Sequence, residues 1–220
     1  MLKRVLLAWS GGKDAAWALH VLRQDRDVEI AGLFTTVDEK SECVPIHEVP
    51  MRLLEAQADA IGVPLHRVPI PRSCPNALYE QRLNDFLETQ SGPTHLAFGD
   101  LFLEDIRRYR ERQFSKSGLG LLFPLWGLPT AALAREMVAA GLRAYITTVD
   151  TARAPAGWAG RVFDEDFVNA IPAGIDPCGE NGEFHTFVFE GPMLRARIDV
   201  RPGPNVQAGA FMHCALQGAR

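Results

Sequence analysis

Short apolar runs alternate with amphipathic stretches through the first half of the chain, an alternation typical of an α/β protein with a parallel sheet. The first apolar run, residues 5–8, breaks into a Ser-Gly-Gly turn and then enters a stretch of good helix formers at residues 14–22. Further strand-like runs follow at 29–37, 64–70 and 94–100. The run at 64–70 contains two prolines, which predicts an edge strand.

Helices are predicted between these runs from apolar residues at helical spacing and from capping residues. One helix is expected from residue 47 to Ile61, and the next is expected to be capped by Asn76. The predicted helices cover 47–61, 77–88, 103–116 and 129–140, and two further strands cover 121–126 and 144–149.

The second half of the chain is less regular, so we place a domain boundary near residue 127. The two predicted domains are 1–127 and 128–220. Closing strands are expected at 193–200 and 210–216, around a loop rich in proline and glycine.

The turn between the first strand and the first helix is the most informative stretch of the chain. Two adjacent glycines, Gly11 and Gly12, let the backbone approach an anion where a Cβ would block it. A helix that begins here directs backbone N–H groups and the positive end of its dipole to the same place. Ser10 adds a hydroxyl donor, Lys13 a mobile positive charge and Asp14 a carboxylate that can approach a metal ion. This combination predicts a polyphosphate ligand.

The alternative for this turn is a tight strand-to-helix connection with Lys13 in solvent. Its sequence is neither the Gly-x-x-x-x-Gly-Lys-Ser/Thr loop of many nucleotide hydrolases nor the spaced glycines of a dinucleotide site. Asp100 would lie at the same sheet edge, where open α/β sheets bind ligands. We interpret Asp100 as a candidate for magnesium or ribose contact, with a helix-capping turn residue as the alternative. The arginine-rich helix at 103–116 is better explained by intrahelical ion pairs than by a basic binding face.

A second polar stretch lies at residues 175–188, before an apolar strand. Its glycines would let the backbone approach a ligand, and Glu180, Glu183 and His185 could supply acid–base groups or a metal shell. Taken alone, the stretch is better explained as a glycine-rich hairpin turn with exposed glutamates. His185 has no second histidine nearby, so no zinc spacing is present.

Composition narrows the class of protein. At 220 residues the chain can bury a substantial core, and its net charge of −4 argues against nucleic-acid binding and against an anionic membrane surface. The four cysteines form no Cys-x-x-Cys pair, so neither zinc nor a disulfide framework is indicated. No apolar run approaches the roughly 18 residues of a membrane helix, and the first strand leaves no room for a signal peptide. We therefore expect a cytoplasmic protein.

The turn at Ser10 and the run Gly-Glu-Asn-Gly-Glu-Phe-His-Thr-Phe-Val at 179–188 together resemble the diphthine–ammonia ligase family of ATP pyrophosphatases. Segments 98–100, 123–126 and 144–149 also fall where that family has similar ones. The resemblance implies a Rossmann-like nucleotide-binding domain with a five-stranded parallel sheet, followed by a smaller, family-specific α+β domain that closes over the acceptor. It also changes our interpretation of the run at 179–188 from a turn to a site.

The resemblance implies that ATP and Mg²⁺ bind and that a substrate carboxylate, activated as an acyl-adenylate, is amidated by ammonia. Catalysis is then expected from Lys13, Asp14, Glu183 and His185, and magnesium binding from Asp14 and Asp100. The residues expected to bind ATP are Ser10, Gly11, Gly12, Lys13, Asp14, Leu33, Thr35, Gly99 and Asp100. Those expected to bind the acceptor are Glu180, Asn181, Gly182, Glu183, His185 and Thr186.

One departure from the family's pattern is Ala15, where the phosphate loop usually continues with serine. The loss of one hydrogen bond to a charged group costs roughly 1.5–3 kcal/mol, which would slow the enzyme without abolishing nucleotide binding. The acceptor stays open between protein-bound diphthine and a small carboxylate, and a homo-oligomer is neither indicated nor excluded. Two other functions are weighed: a tRNA-thiolating pyrophosphatase and a non-catalytic nucleotide sensor.

Overall fold

The computed structural model describes residues 2–45 and 47–218, and its first part is a five-stranded parallel sheet. The strands stand in the order β5-β2-β1-β6-β7, and every neighbouring pair is parallel. The strands are β1 (Lys3–Ala8), β2 (Val28–Asp38), β5 (Leu65–Ile70), β6 (His95–Ala97) and β7 (Gly120–Leu122); a small hairpin is formed by β3 (Cys43–Val44) and β4 (Val49–Pro50). The helices are α1 (Lys13–Leu22), α2 (Met51–Ile61), α3 (Asn76–Glu88) and α4 (Glu104–Gln113). This confirms the predicted α/β fold.

An antiparallel sheet follows in the C-terminal part, in the order β10-β8-β12-β11 with β9 paired to β8. Its strands are β8 (Arg143–Asp150), β9 (Val162–Phe163), β10 (Phe184–Glu190), β11 (Val200–Ala208) and β12 (Phe211–Gly218). Its helices are α5 (Thr130–Ala139) and the short α6 (Glu165–Asn169). The expected α+β domain is therefore present.

The parallel sheet is buried on both faces, as the apolar run of β1 predicts. Side chains alternate along a strand, so Val5 and Leu7 pack into the larger core while Leu6 packs on the opposite face. The smaller core on that opposite face includes Phe34 and Phe98. The larger core continues into the antiparallel sheet through residues of β8 and β10, so one apolar interior joins the two sheets.

Two helix starts differ from the predictions. The helix α2 begins at Met51, not at residue 47, because the β3–β4 hairpin occupies the preceding residues and Pro50 is the N-cap. Asn76 does not cap α3; Pro75 is the N-cap and Asn76 is the first helical residue. Proline at the N-cap position sets an extended backbone, with φ −62° and ψ 146° at Pro75, and this determines where the helix starts.

The C-terminal strands also differ from the prediction. Residues 191–199 form no strand. The N–H of Arg195 donates to the carbonyl of Ala60 in α2, and the N–H of Ile198 donates to the carbonyl of Phe189 in β10. The sequence expected to be a proline- and glycine-rich loop is instead part of β11. An edge strand tolerates proline, and a register shift between Pro202 and Asn205 absorbs the missing donors.

The edge strand predicted from prolines at residues 64–70 is confirmed, since β5 lies at one end of the parallel sheet. The strand predicted at 121–126 is shorter, because a turn follows Leu122 in which Trp126 donates to the carbonyl of Phe123. None of the helices that the structure describes is long and apolar enough to cross a membrane.

Leu33 tests the packing of the parallel sheet. It is fully buried in β2, between Leu7 of β1 and Leu65 of β5. We expect Leu33→Ala to lower the free energy of unfolding by about 2–5 kcal/mol, because the cavity it leaves is walled by neighbouring strands. Urea denaturation measures this loss. The control Val206→Ala, at a position 57% exposed, should change the free energy by less than about 0.5 kcal/mol, and equal losses in the two variants would contradict this account.

Candidate functional site

The glycine turn connects the end of β1 to the start of α1, as predicted. Gly11 has φ +78°, a left-handed conformation that favours glycine, and a Cβ there would lie 2.9 Å from Oε1 of Gln57. Gly12 is the N-cap of α1, and its N–H donates to the Ser10 hydroxyl at 3.3 Å. The first turn of the helix therefore opens toward the carboxyl ends of the strands.

Gln57 holds this turn against the antiparallel sheet. Its side chain is fully buried; Oε1 accepts from the indole N–H of Trp9 at 2.9 Å. Its amide nitrogen donates to the carbonyls of Gly11 at 3.0 Å and Val188 at 2.6 Å. The N–H of Val188 in turn donates to the Gly11 carbonyl at 2.9 Å. The turn is thus hydrogen-bonded to β10, 177 residues further along the chain.

A cleft of about 550 Å³ lies where the turn, the ends of β1, β2 and β6, and the C-terminal part of the chain meet. It brings together most of the residues predicted as a site: Ser10, Gly12, Lys13, Asp14, Thr35, Gly99, Asp100, Glu180, His185 and Thr186. The predicted residues that do not line it are Gly11, Leu33, Asn181, Gly182 and Glu183. Leu33 is absent from the cleft because it lies within the sheet core, and Phe34 and Thr36 line the cleft beside Thr35 instead.

Lys13 is not the mobile cation that the sequence predicts. Its side chain is buried, and Nζ donates to Oδ2 of Asp14 at 2.8 Å and to the carbonyl of Cys178. Nζ also lies 5.3 Å from the ring centroid of Phe184. Burial lowers the pKa of Lys13, but the neighbouring Asp14 carboxylate raises it, and the net pKa lies above the ordinary lysine value. Lys13 is therefore a fixed positive charge that joins the two parts of the chain.

Asp14 has the properties of a cation ligand. It lines the cleft, and its Oδ1 atom is buried without a hydrogen-bond partner. Burial raises the pKa of the Asp14 carboxyl, and the Lys13 ammonium opposes that rise. Among the described residues, no group of three or more His, Cys, Asp or Glu side chains is arranged to hold a metal. Mg²⁺ commonly binds through one carboxylate together with phosphate oxygens and water, and Asp14 fits that arrangement.

Asp100 is held by an arginine and leaves neither oxygen free. Its Oδ2 and Oδ1 accept from Nε and Nη2 of Arg110 at 2.5 and 3.1 Å. It does not cap α4, whose N-cap is Leu103. The intrahelical pairs expected on α4 are present, Arg107 with Glu111 and Arg108 with Glu104, but Arg110 faces the cleft. Asp100 therefore fits a direct metal ligand less well than Asp14.

The two glutamates of the C-terminal turn have different positions. Glu183 is buried, and its Oε1 accepts from the N–H of Asp176 and from the side-chain amide of Asn181, both at 3.1 Å. Its carboxylate holds the turn together and does not line the cleft. The carboxylate that does line the cleft is that of Glu180, which accepts from the N–H of Leu101 at 2.8 Å. Burial raises the pKa of Glu180 to about 7, and the nearby Asp14 adds to the rise.

Two histidines form the opposite wall of the cleft. The rings of His47 and His185 lie 4.7 Å apart between centroids. Burial lowers the pKa of His47 to about 4, with a further lowering from Lys13. Burial also lowers the pKa of His185 well below its ordinary value, assisted by the charges of His47 and Lys13. Both imidazoles are consequently neutral at pH 7. His47 has no sequence signal, because it lies in the stretch interpreted as a helix.

The cleft also has an apolar end, of which the sequence indicated only the part in β2, through the expected binding of ATP at Leu33 and Thr35. It is formed by side chains from β2, β5, α3 and the end of β6, namely Phe34, Ile70, Tyr79, Leu83 and Phe98. The sequence gives each of these residues the pattern of a hydrophobic core residue. Only their convergence at one edge of the sheet distinguishes them from the rest of the core. An apolar wall beside a helix N-terminus suits a ligand with a flat ring at one end and phosphates at the other.

Two protein-family models match the chain. Residues 3–121 match the model of the diphthamide synthase N-terminal domain, and residues 129–214 match the model of the diphthamide synthase C-terminal domain. No curated protein matches it. The two matched regions contain both sides of the cleft described above.

The raised pKa of Glu180 predicts that the stability of the protein depends on pH. Its carboxyl ionises near pH 4.5 in the unfolded chain but near pH 7 in the folded protein, so the folded state binds the extra proton between these values. This contribution to stability is present below pH 4.5 and is lost as the pH rises through about 7. We expect the free energy of unfolding of Glu180→Gln, minus that of the unmodified protein, to increase from pH 5 to pH 7.5.

Urea denaturation at several pH values between 5 and 8 measures this difference. Glu136→Gln, at an exposed position of α5, controls for the change in net charge. A Glu180→Gln difference that stays constant with pH would contradict the raised pKa of this half-buried, cleft-facing carboxylate.

Proposed function

The chain belongs to the diphthamide synthase family, and on that premise we propose that it is an ATP-dependent ligase that amidates a substrate carboxylate with ammonia. The observation that carries the proposal is the shared cleft. The N-terminal turn of α1, suited to phosphates, opens into the same space as Glu180 and His185 from the C-terminal half. A nucleotide and an acceptor bound there would be in contact, as transfer of an adenylyl group requires.

The nucleotide would bind with its adenine at the apolar end and its two outer phosphates at the turn of residues 10–14. The Ser10 hydroxyl would donate to a phosphate, the N-terminal end of the α1 dipole favours negative charge there, and Lys13 supplies a fixed positive charge behind the turn. Asp14 would hold Mg²⁺, which when bound neutralises charge on the phosphates. These groups favour charge that develops on pyrophosphate as it leaves.

The reaction then has two steps. In the first, a carboxylate oxygen of the acceptor attacks the α-phosphorus, the bond from that phosphorus to the bridging oxygen breaks, and pyrophosphate leaves with the electron pair. In the second, ammonia attacks the acyl carbon, the acyl–oxygen bond breaks, and AMP leaves. The nitrogen loses one proton to a base as the amide forms.

Glu180 is the better base of the two glutamates. Its carboxylate lines the cleft and has a pKa of about 7, whereas the Glu183 carboxylate is used by the backbone of its own turn. The neutral imidazole of His185 can donate or accept a hydrogen bond with the acceptor. The tRNA-thiolating alternative gains no support at Cys178, because this thiol is buried and burial raises its pKa.

Isotope transfer tests the first step. The protein is incubated with ATP, Mg²⁺, ammonium and a carboxylate labelled with ¹⁸O, first the diphthine-bearing elongation factor and then small carboxylates. One ¹⁸O atom should appear in AMP for the true acceptor. Exchange of labelled pyrophosphate into ATP should depend on that acceptor and proceed without ammonium. Formation of ADP and phosphate instead, or exchange that requires tRNA, would contradict the proposal.

Asp14 gives a matched test of the phosphate site. We expect Asp14→Asn to slow pyrophosphate release by about 100-fold or more and to raise the Mg²⁺ concentration needed for half-maximal rate. Asp59→Asn, on the exposed face of α2, provides the control and should behave as the unmodified protein. A rate for Asp14→Asn within about twofold of the control would remove Asp14 from the mechanism.

A further inference from the structure

One arginine that lines the cleft, Arg110, has no role in the mechanism above. Arg110 extends from the last turn of α4 into the cleft, with its guanidinium bound through two N–H groups to both oxygens of Asp100. The guanidinium carbon lies 4.2 Å from the ring centroid of Phe98, and the side chain is only 22% exposed. Two hydrogen bonds and one stacking contact fix the plane of the guanidinium, so Arg110 presents its remaining N–H groups in a set direction.

The position of Arg110 follows from the chain segment 98–100. Phe98 belongs to the apolar end of the cleft, where its ring meets that of Phe34 edge-on at 6.4 Å. Gly99 packs directly against the first turn of α1, since a Cβ there would lie 2.9 Å from the backbone nitrogen of Ala15. Asp100 comes next and holds Arg110. The guanidinium therefore lies against the segment 98–100, which connects the apolar end of the cleft with the N-terminus of α1.

The charges that line the cleft suggest that the Arg110 guanidinium binds an anionic ligand. Three carboxylates line the cleft, those of Asp14, Asp100 and Glu180. Lys13, the other permanent cation in the described lining, directs its ammonium at Asp14 and at the carbonyl of Cys178. A guanidinium has five N–H donors, and Asp100 uses two of those on Arg110. Burial lowers the pKa of the Arg110 guanidinium, but Asp100 first and then the neighbouring Tyr79 raise it, and the N–H groups that Asp100 does not hold are the donors offered to a ligand.

We propose that Arg110 binds the α-phosphate of the nucleotide and that Asp100 is its positioning residue. The inference rests on the proposed function and extends it to the phosphate that is attacked. With the adenine at the apolar end and the outer phosphates at the turn of residues 10–14, the ribose and the α-phosphate occupy the space between them. The ribose is uncharged, so the α-phosphate is the anion that a fixed guanidinium in this space would contact.

Comparison of adenosine, AMP and ATP isolates the α-phosphate, because AMP differs from adenosine by that group alone. Dissociation constants are measured by isothermal titration calorimetry, with Mg²⁺ present for ATP. We expect Arg110→Gln to weaken the binding of AMP and ATP by about tenfold or more and to leave adenosine binding unchanged. Arg107→Gln is the control, since Arg107 lies on the same helix but stacks on Phe123 and Trp126 outside the cleft.

Arg110→Gln removes the arginine that the Asp100 carboxylate binds and could destabilise the fold, so a second variant serves as a control for folding. The double variant Asp100→Asn, Arg110→Gln replaces the ion pair by two neutral amides, and thermal unfolding reports whether each variant folds. We expect the double variant to lose AMP affinity as the single variant does. Asp100→Asn alone should weaken AMP binding relative to adenosine, an effect that a general loss of packing would not produce.

The outcomes distinguish a failure of this inference from a failure of the proposed function. If the unmodified protein prefers AMP to adenosine and both Arg110 variants keep that preference, this inference is overturned while the proposed function stands. If the unmodified protein binds neither AMP nor ATP, the proposed function fails and the inference fails with it.

Discussion

The site depends on one buried amide, the side chain of Gln57. It accepts from Trp9 just after β1 and donates to Gly11 in the turn and Val188 in β10, and all four residues are buried. A buried polar group that loses one such partner costs about 1–3 kcal/mol, so the three bonds are mutually dependent. They fix the glycine turn of residues 10–14 relative to the antiparallel sheet, and the cleft exists because these two surfaces are held together.

The same junction carries a buried ion pair. Lys13 begins α1 within the N-terminal fold, yet its ammonium is surrounded by Asp14, the Cys178 carbonyl and the ring of Phe184. Its backbone N–H donates to the Thr186 hydroxyl of β10 at 3.0 Å. Removing one partner of such a pair leaves an uncompensated charge in a low-dielectric interior, which is strongly unfavourable. Lys13 of the glycine turn thus joins the two halves of the protein.

Charge within the cleft is divided in space. Lys13 of the glycine turn and Arg110 provide positive charge, Glu180 lines the same cleft from the C-terminal turn, and the histidines remain neutral. Burial is the largest cause of the shifted pKa values of Glu180, His47 and His185. Fixed charges act most strongly on charged groups where burial limits the access of water, because water does not screen them there.

The local sequence determined which stretches of the N-terminal half form strands and helices, and it determined the glycine turn. Both follow from the period of the hydrophobic residues and the position of glycines, which depend on only a few neighbouring residues. It did not show that Glu180 lines the cleft and Glu183 does not, because the two share one turn. Nor did it show that Arg110, among the arginines of α4, or His47, before α2, would line the cleft. Whether a side chain faces a cleft or its own backbone depends on elements distant in sequence. Only the tertiary structure decides that, since long-range packing sets which partners a polar group meets.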